Sequence, residues 1–439
     1  MSNINNDLSL NYFTYGNNAT KTYQMALFSS PISQVTKDQS KINENPFIFN
    51  KEVTPKMPIT DQKSSGRCWI FATLNMIRII ASQNMGSNLK DLEFSQTYLY
   101  FWDKFERYHR SIQYYLDIKQ NIEPEKQFYY LNHLYKEALG DGGQWDMSKD
   151  LVKKYGIVPK QAMPDSYHSK LSAPMNKLLT EMLINDFTIL DKSEKSVHKE
   201  LINIMMDRVY NVLVGFLGKP PTKFNWIYEV KNDVTTFNNI SPHELLKIIK
   251  FNPDDWVTVV NDPRKENPYY KYYQVKYLGN VNNQHVGWIN LPIERLKELS
   301  QQMIDKNLPV FFGCNVGAER DKDSGIMDVG IFDYKTFFDY KNIMNKEEKL
   351  QTYASLPSHA MVIVGYYSDS GKPTRWNIEN SWGKSSGTDG FLQMTTNWYD
   401  EYVFQIVVAK SLLTENEVKT MESVHKLIEP WDPMGTLAK

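Results

Sequence analysis

The hydrophobic pattern of this chain changes period near residue 256, and that change sets the fold class. Before it, apolar residues recur at intervals of three and four: Met175, Leu178, Leu179, Met182 and Leu183, then Leu201, Ile204, Met205 and Val209, with Lys and Glu on the other faces. That spacing lines one side of an α-helix. After it come short β-branched and aromatic runs at 257–260, 272–277, 310–313, 360–367, 375–378, 391–394 and 402–410. Runs of this composition read as strands. Residues 292–306 return to a helical pattern between them. The expected class is α+β, with helices in the first half and a sheet in the second. At 439 residues the chain can build a large core or several lobes.

Residues 61–72 carry the first candidate chemistry. A polar, glycine-containing turn runs from Asp61 through Gly66 and ends at Cys68; Trp69, Phe71, Leu74, Met76, Ile77 and Ile80 follow. The pattern predicts a loop feeding a buried helix, with Cys68 in its first turn. Unspent backbone N–H groups at a helix start carry partial positive charge. A thiol there loses its proton more easily, and the thiolate is the nucleophile. Gln62, six residues upstream, supplies an amide N–H that can steady an oxyanion. The competing reading is a buried structural cysteine.

A nucleophilic cysteine needs a base, and the base needs an orienting partner. Seven of the eight histidines (His109, His133, His168, His198, His243, His285 and His425) sit in ordinary helical or loop contexts. His359 opens the run from Ser358 to Tyr366, a polar residue at the mouth of an apolar strand, exposed enough to work; the alternative is a capping histidine at a strand edge. Asn380 follows in Ile-Glu-Asn-Ser-Trp-Gly. Its side-chain oxygen is expected to accept Nδ1–H of the imidazole, leaving Nε2 for the thiol. Trp382 is expected to roof the pair. The turn Gly-Asp-Gly-Gly-Gln-Trp at 140–145 is either an ordinary loop or a place where backbone approaches a ligand.

Taken together, Gln62, Cys68, His359 and Asn380 resemble the motif positions of papain-like cysteine peptidases, and Asn-Ser-Trp-Gly is the general papain-like form. Gln-Lys-Ser-Ser-Gly-Arg-Cys-Trp, Gly-Asp-Gly-Gly-Gln-Trp-Asp-Met, Ser-His-Ala-Met and the terminal Pro-Trp-Asp-Pro-Met-Gly-Thr-Leu-Ala-Lys look most like the bleomycin hydrolase and aminopeptidase C branch. The resemblance runs from about residue 50 to the last residue. It implies a two-lobed papain-like fold with a helical left lobe and a β-rich right lobe. His359 lies roughly 290 residues after Cys68, whereas simple papain-like enzymes separate the two by about 130–150. The excess points to a large helical insertion. The expected division is an arm at 1–55, a helical lobe with the nucleophile at 56–169, an inserted helical subdomain at 170–255, a β-rich lobe with His359 and Asn380 at 256–410, and a tail at 411–439.

The resemblance also implies an activity: a cytoplasmic thiol aminopeptidase that releases N-terminal residues from short peptides by acyl transfer to Cys68, with His359 and Cys68 as an imidazolium–thiolate pair. No metal or cofactor is expected. In the family such insertions build a hexameric cage. Gly142 and Gly143 resemble the pair that meets the substrate backbone. Pro430, Pro433 and Gly435 exclude a helix through the last ten residues, so an extended strip is expected. In the resembling family that strip lies in the cleft with its carboxylate facing the substrate's amine, which makes Ala438 and Lys439 candidate substrate contacts and Lys439 a candidate for self-trimming. One departure stands out: Cys314-Asn315-Val316-Gly317 occupies a place where relatives are expected to carry Asp in the second position.

Composition limits the rivals. A net charge of −1 gives no global attraction to nucleic acid or an anionic membrane. Cys68 and Cys314 permit one disulfide at most, which fits a reducing compartment. The polar N-terminus lacks the features of a secretory signal, and no apolar run of about eighteen residues suggests a membrane span. Two alternatives stay open at this point: an endopeptidase with the same triad in an open cleft, and a nucleic-acid-binding protein on a peptidase scaffold.

Overall fold

A computed structural model describes residues 18–86, 91–230, 233–281 and 285–436. The change of texture seen in the sequence becomes a division in space. Helix Cys68–Asn84 packs on the strands Val310–Cys314 and His359–Tyr367 of an eleven-stranded sheet; Gln96–Asn121 and Trp145–Tyr155 pack on that helix, and Pro124–Glu137 on Gln96–Asn121. The sheet runs in the order Lys426–Ile428, Lys271–Val275, Gly287–Asn290, Trp256–Val260, Val403–Ala409, Val310–Cys314, His359–Tyr367, Arg375–Glu379, Phe391–Thr395 and Ile326–Met327. Lys51–Glu52 adds to it beside His359–Tyr367. All seven expected strands are present, as is the expected helix, at Ile293–Asp305. The short strands Gly287–Asn290, Ile326–Met327 and Lys426–Ile428 were not foreseen. The class is α+β. Among the described residues, no helix is long and apolar enough to cross a membrane.

Cys68–Asn84 is the packing centre of the helical side. Every residue from Cys68 to Ser82 is buried, so it is surrounded rather than amphipathic. It touches the strand His359–Tyr367 along its length. Gln96–Asn121 starts at Ser95, whose Oγ accepts from Tyr98 N–H. Ser241 and Glu244 form a capping box at the start of Pro242–Ile248.

Three readings need correction. The stretch 1–55 was expected as an arm. It forms helices at Asn18–Ser29, Ile32–Val35 and Gln39–Asn43. Contacts far along the chain support the two short ones: Gln34 Nε2 donates to Asp323 at 2.7 Å, and Lys41 pairs with Asp328 at 3.5 Å. Residues 170–250 were read as helical throughout. They hold helices Ala173–Lys192 and His198–Leu217, but then the hairpin strands Phe224–Val230 and Asp233–Ile240. Within the two helices the buried stripe is narrower than expected. Met175, Leu179 and Leu183 face inward with Met205 and Val209, while Leu178 and Ile204 face out, because both helices pack against Gln96–Asn121 as well as against each other.

Candidate active site

Cys68 begins its helix with no side-chain cap before it. The backbone N–H groups of Cys68 and Trp69 point at its sulfur, joined by that of Ala360 from the neighbouring strand. The loop before it is held by Asp141, whose carboxylate accepts from Gly66 N–H at 3.0 Å and from Tyr100 and Asn176, and pairs with Lys104 at 3.1 Å. Burial raises the Asp141 carboxyl, but Lys104, Ser172, Tyr100 and Gly66 outweigh it and hold the group well below the usual carboxylate range. Its main-chain oxygen takes the indole N–H of Trp69 at 2.7 Å. One anion thus fixes the residues on both sides of Cys68.

His359 stands at the head of its strand, with Cys314 opposite it on the next. Its Nε2 makes a 3.0 Å hydrogen bond with Asn380 Oδ1, which also accepts from Ser381 N–H at 2.8 Å. The ring orientation is the reverse of the expected one: Nε2, not Nδ1, meets Asn380. Asn380 lies one strand away, beyond Glu379, and only the distal ring nitrogen reaches that far. Nδ1, nearer the backbone, is left for the sulfur side. His359 is also buried rather than exposed, at 2%. Trp382 roofs it as expected, with ring centroids 4.5 Å apart.

Gln62 joins the two halves of the site. Its main-chain N–H donates to Ser381 O at 2.9 Å, its Oε1 accepts from Ser381 Oγ at 2.7 Å, and its Nε2 donates to Ser65 O at 2.7 Å. Among the described residues that accounts for one of the two Nε2 hydrogens. Gly383 N–H bonds Thr60 O at 3.0 Å, so segment 60–62 lies antiparallel to 381–383.

Burial acts against separate charging of the central pair. It pushes the Cys68 thiol up to about 12, against the three backbone donors. It pulls His359 down to about 4, opposed by Asn380 and assisted by Arg320. Burial thus opposes either charge formed alone; in the expected ion pair the attraction between thiolate and imidazolium acts against that cost, and the neutral pair is the other form. The two forms hold the same number of protons, and one internal transfer interconverts them.

Gly142 and Gly143 lie beside this centre, but packing already constrains both. A Cβ on Gly143 would sit 2.4 Å from the Trp69 ring, and Gly142 O accepts from Arg107. Gln144, the next residue, donates from Nε2 to Met434 O at 3.2 Å and Thr436 O at 3.1 Å. The tail thus ends its described path beside Gly142 and Gly143. Arg264 grips Asp432 through two bonds, at 2.8 and 3.1 Å, and Trp431 stands against Tyr130. Pro433–Gly435 is a 3₁₀ turn rather than an extended strip; Pro suits the first position of a short helical turn, where its missing N–H costs nothing. Ala438 and Lys439 lie outside the described residues.

The sequence model of the Peptidase C1-like family matches residues 5–435. The chain belongs to this family. It lies in the bleomycin hydrolase and aminopeptidase C branch of papain-like cysteine peptidases. Aminopeptidase C of Listeria monocytogenes is 35% identical over 95% of this chain and 94% of its own length. Bleomycin hydrolase of Homo sapiens is 36% identical over 87% and 86%, and aminopeptidase C of Lactococcus lactis 37% over 89% of each. The crystal structure of PepW from Lactobacillus rhamnosis superposes with a TM-score of 0.90 at 32% identity, covering 96% of both chains. The similarity reaches well into the first fifty residues, where the sequence offered no usable motif.

Around this Peptidase C1-like site, sequence reasoning missed several supports. Arg78 Nη2 meets Glu379 Oε1 at 2.6 Å with both side chains buried. This pair ties the helix of Cys68 to the strand that delivers Asn380. Burial holds the Glu379 carboxyl above its usual range despite Arg78, so the bond positions the two elements more than it stabilises them. Its only sequence signal was an arginine within an otherwise apolar helix. Asp141, Gln144 and Ser381 stood inside noticed motifs without an assigned role. Asn315, the noted departure, donates to Ser355 Oγ at 3.0 Å, a contact in which an ionised Asp could only accept.

Proposed function

We propose that this chain is a cysteine aminopeptidase that releases N-terminal residues from short peptides through a thioester on Cys68. One observation carries the exopeptidase reading: Gln144 holds the tail at Met434 and Thr436, next to Gly142 and Gly143. A tail docked there fills the side that would receive residues preceding the scissile bond. In this reading the tail limits the substrate to few residues before the scissile bond. Its end, with Ala438 and Lys439, is read as the group that meets the substrate's ammonium. The names of the relatives, aminopeptidase C and bleomycin hydrolase, fit this reading.

The steps follow from the geometry. His359 Nδ1 takes the thiol proton as the sulfur attacks the carbonyl carbon. The oxyanion is held by Cys68 N–H and the second Nε2 hydrogen of Gln62. Asn380 fixes the ring through Nε2, and Nδ1 hands the proton to the leaving amine. Water then hydrolyses the thioester, and Cys68 regains its proton. Trp382 keeps water off the His359–Asn380 bond.

The same reading places the protein in the cytoplasm as a closed homo-oligomer, a hexamer by family resemblance. Leu178, Ile184, Ile189 and Ile204 are exposed on the helical pair Ala173–Lys192 and His198–Leu217, apolar area that an assembly would cover. Light scattering giving a 51.3 kDa monomer at micromolar concentration would refute the assembly. For the activity, aminoacyl fluorogenic substrates are compared with their N-acetylated forms. Hydrolysis of the free-amine series alone is expected. Equal hydrolysis of the blocked series would mean an endopeptidase.

A further inference from the structure

The tail occupies one side of the candidate site; the other side carries an unspent cation. Arg320 lies in the turn after the strand Val310–Cys314. Its guanidinium carbon sits 4.6 Å from the centroid of the Trp382 ring, and Trp382 in turn lies 4.5 Å from the His359 ring. Trp382 is shared by the two groups. Stacking leaves the in-plane N–H donors of a guanidinium unused. Nε is buried without a hydrogen-bond partner, and no carboxylate among the described residues forms an ion pair with Arg320. The adjacent acids are committed elsewhere. Glu319 accepts from Gly330 N–H and Tyr402 OH, each at 2.8 Å. Asp321 accepts from Ser324 N–H at 2.9 Å and pairs with Lys37.

The chemistry says which part of a substrate meets this cation. His359 returns its proton to the leaving amine, so the leaving fragment lies against His359 and its Trp382 roof. The two centroid distances put the guanidinium within about 9 Å of the imidazole, and one or two extended residues span roughly 3.5–7 Å. The free carboxylate of a short leaving fragment falls in that range. A planar guanidinium with open donors is the side chain suited to gripping a carboxylate through two parallel bonds.

We propose that Arg320 is a specificity-determining residue that binds the C-terminal carboxylate of the leaving fragment, which makes di- and tripeptides with a free carboxyl end the favoured substrates. The inference rests on the aminopeptidase reading above and adds the class of substrate. It has a second consequence. Arg320 adds to burial in disfavouring charge on His359, and a bound carboxylate offsets that part of the cost as the imidazole takes the thiol proton.

The test uses the full-length protein and three substrates: leucyl-glycine, leucyl-glycinamide and a chromogenic leucyl arylamide. In the unmodified enzyme kcat/KM is expected to favour the acid over the amide about tenfold, the scale of one charge-assisted hydrogen bond. The preference should shrink as salt is raised. Arg320→Gln should bring the ratio close to one, and Arg320→Lys should keep part of it. General damage to the Trp382 roof lowers all three rates together and leaves the ratio where it was. A ratio near one in the unmodified enzyme, or one unmoved by Arg320→Gln, overturns the inference. Should Arg320→Gln fail to fold, the unmodified ratio and its salt dependence decide. Failure of all three substrates overturns the aminopeptidase reading and this inference with it.

Discussion

The two cysteines make a controlled comparison. Cys68 and Cys314 are both fully buried, burial raises both thiols, and each neighbours the strand that begins at His359. They differ in supply of donors. Cys68 opens a helix, whose first N–H groups have no partner in the helix itself, and three backbone N–H groups converge on its sulfur. Cys314 ends a strand paired on both sides, and its backbone is spent on those neighbours: Cys314 O accepts from Ser358 N–H at 2.9 Å. Burial and proximity to a histidine therefore do not distinguish a nucleophile. Unspent backbone donors do.

The sharpest way to break the comparison is to exchange the sulfurs. Cys68→Ser is expected to lower kcat by ~10⁴-fold or more with the fold intact by circular dichroism, the scale of losing a nucleophile that acts as one unit with its base. Cys314→Ser should stay within about threefold of the parent, as an exchange at a site with no part in the reaction. A dead Cys314 variant beside an active Cys68 variant would reverse the assignment.

Next in size are the partners that only Cys68 has. Asn380→Ala should reduce kcat by roughly 10²–10⁴, with little change in KM, because an unfixed imidazole fails in the transition state. Gln62→Ala should cost about 10- to 1000-fold, the range of a lost oxyanion donor. The same factors are expected in the Cys314→Ser background; a change confined to KM would remove both roles.

The Arg78–Glu379 tie comes third. Arg78→Met strands a buried carboxylate and should cost about 3–5 kcal/mol in denaturant unfolding. Adding Glu379→Gln to that variant should restore part of the loss. A single variant as stable as the parent would show that the tie does not hold the Cys68 helix to the Asn380 strand.

The smallest effect is a displaced pH profile. His359 is lowered, so it stays neutral and able to accept the Cys68 proton until the pH falls to about 4. The acid limb of kcat/KM should then lie more than one unit below 6.5, the ordinary value for histidine. An alkaline limb near 8 is expected from the substrate's own α-amine, which must stay charged to meet the tail. Alkylation followed by mass spectrometry should label Cys68 along that acid limb and leave Cys314 unlabelled. An acid limb between 6 and 7 would show that burial does not govern His359.

Much of this was legible in the sequence because it depends on local pattern. The loop-to-helix junction at Cys68, the caps at Ser95 and Ser241, the strands of the second half and the order of the cysteine, histidine and asparagine motifs all follow from neighbours in the chain. Rules of local backbone geometry govern such features, so a few residues suffice to read them.

The tertiary structure decided what depends on distance in space. The ring orientation of His359 turned on which nitrogen reaches one strand over. Gly143 is fixed by the indole of Trp69, 74 positions away in the numbering. Arg78 found Glu379, Gln144 found the tail, and Arg320 came to rest on Trp382. None of these partners is within a helical turn or a strand pair of the other, so no period in the sequence connects them. What sequence alone determined was which chemical groups the chain owns and the local shapes that carry them. Which groups are left with unspent donors was settled only when packing had assigned every other partner, because a hydrogen bond or charge is free only after all its competitors have been placed.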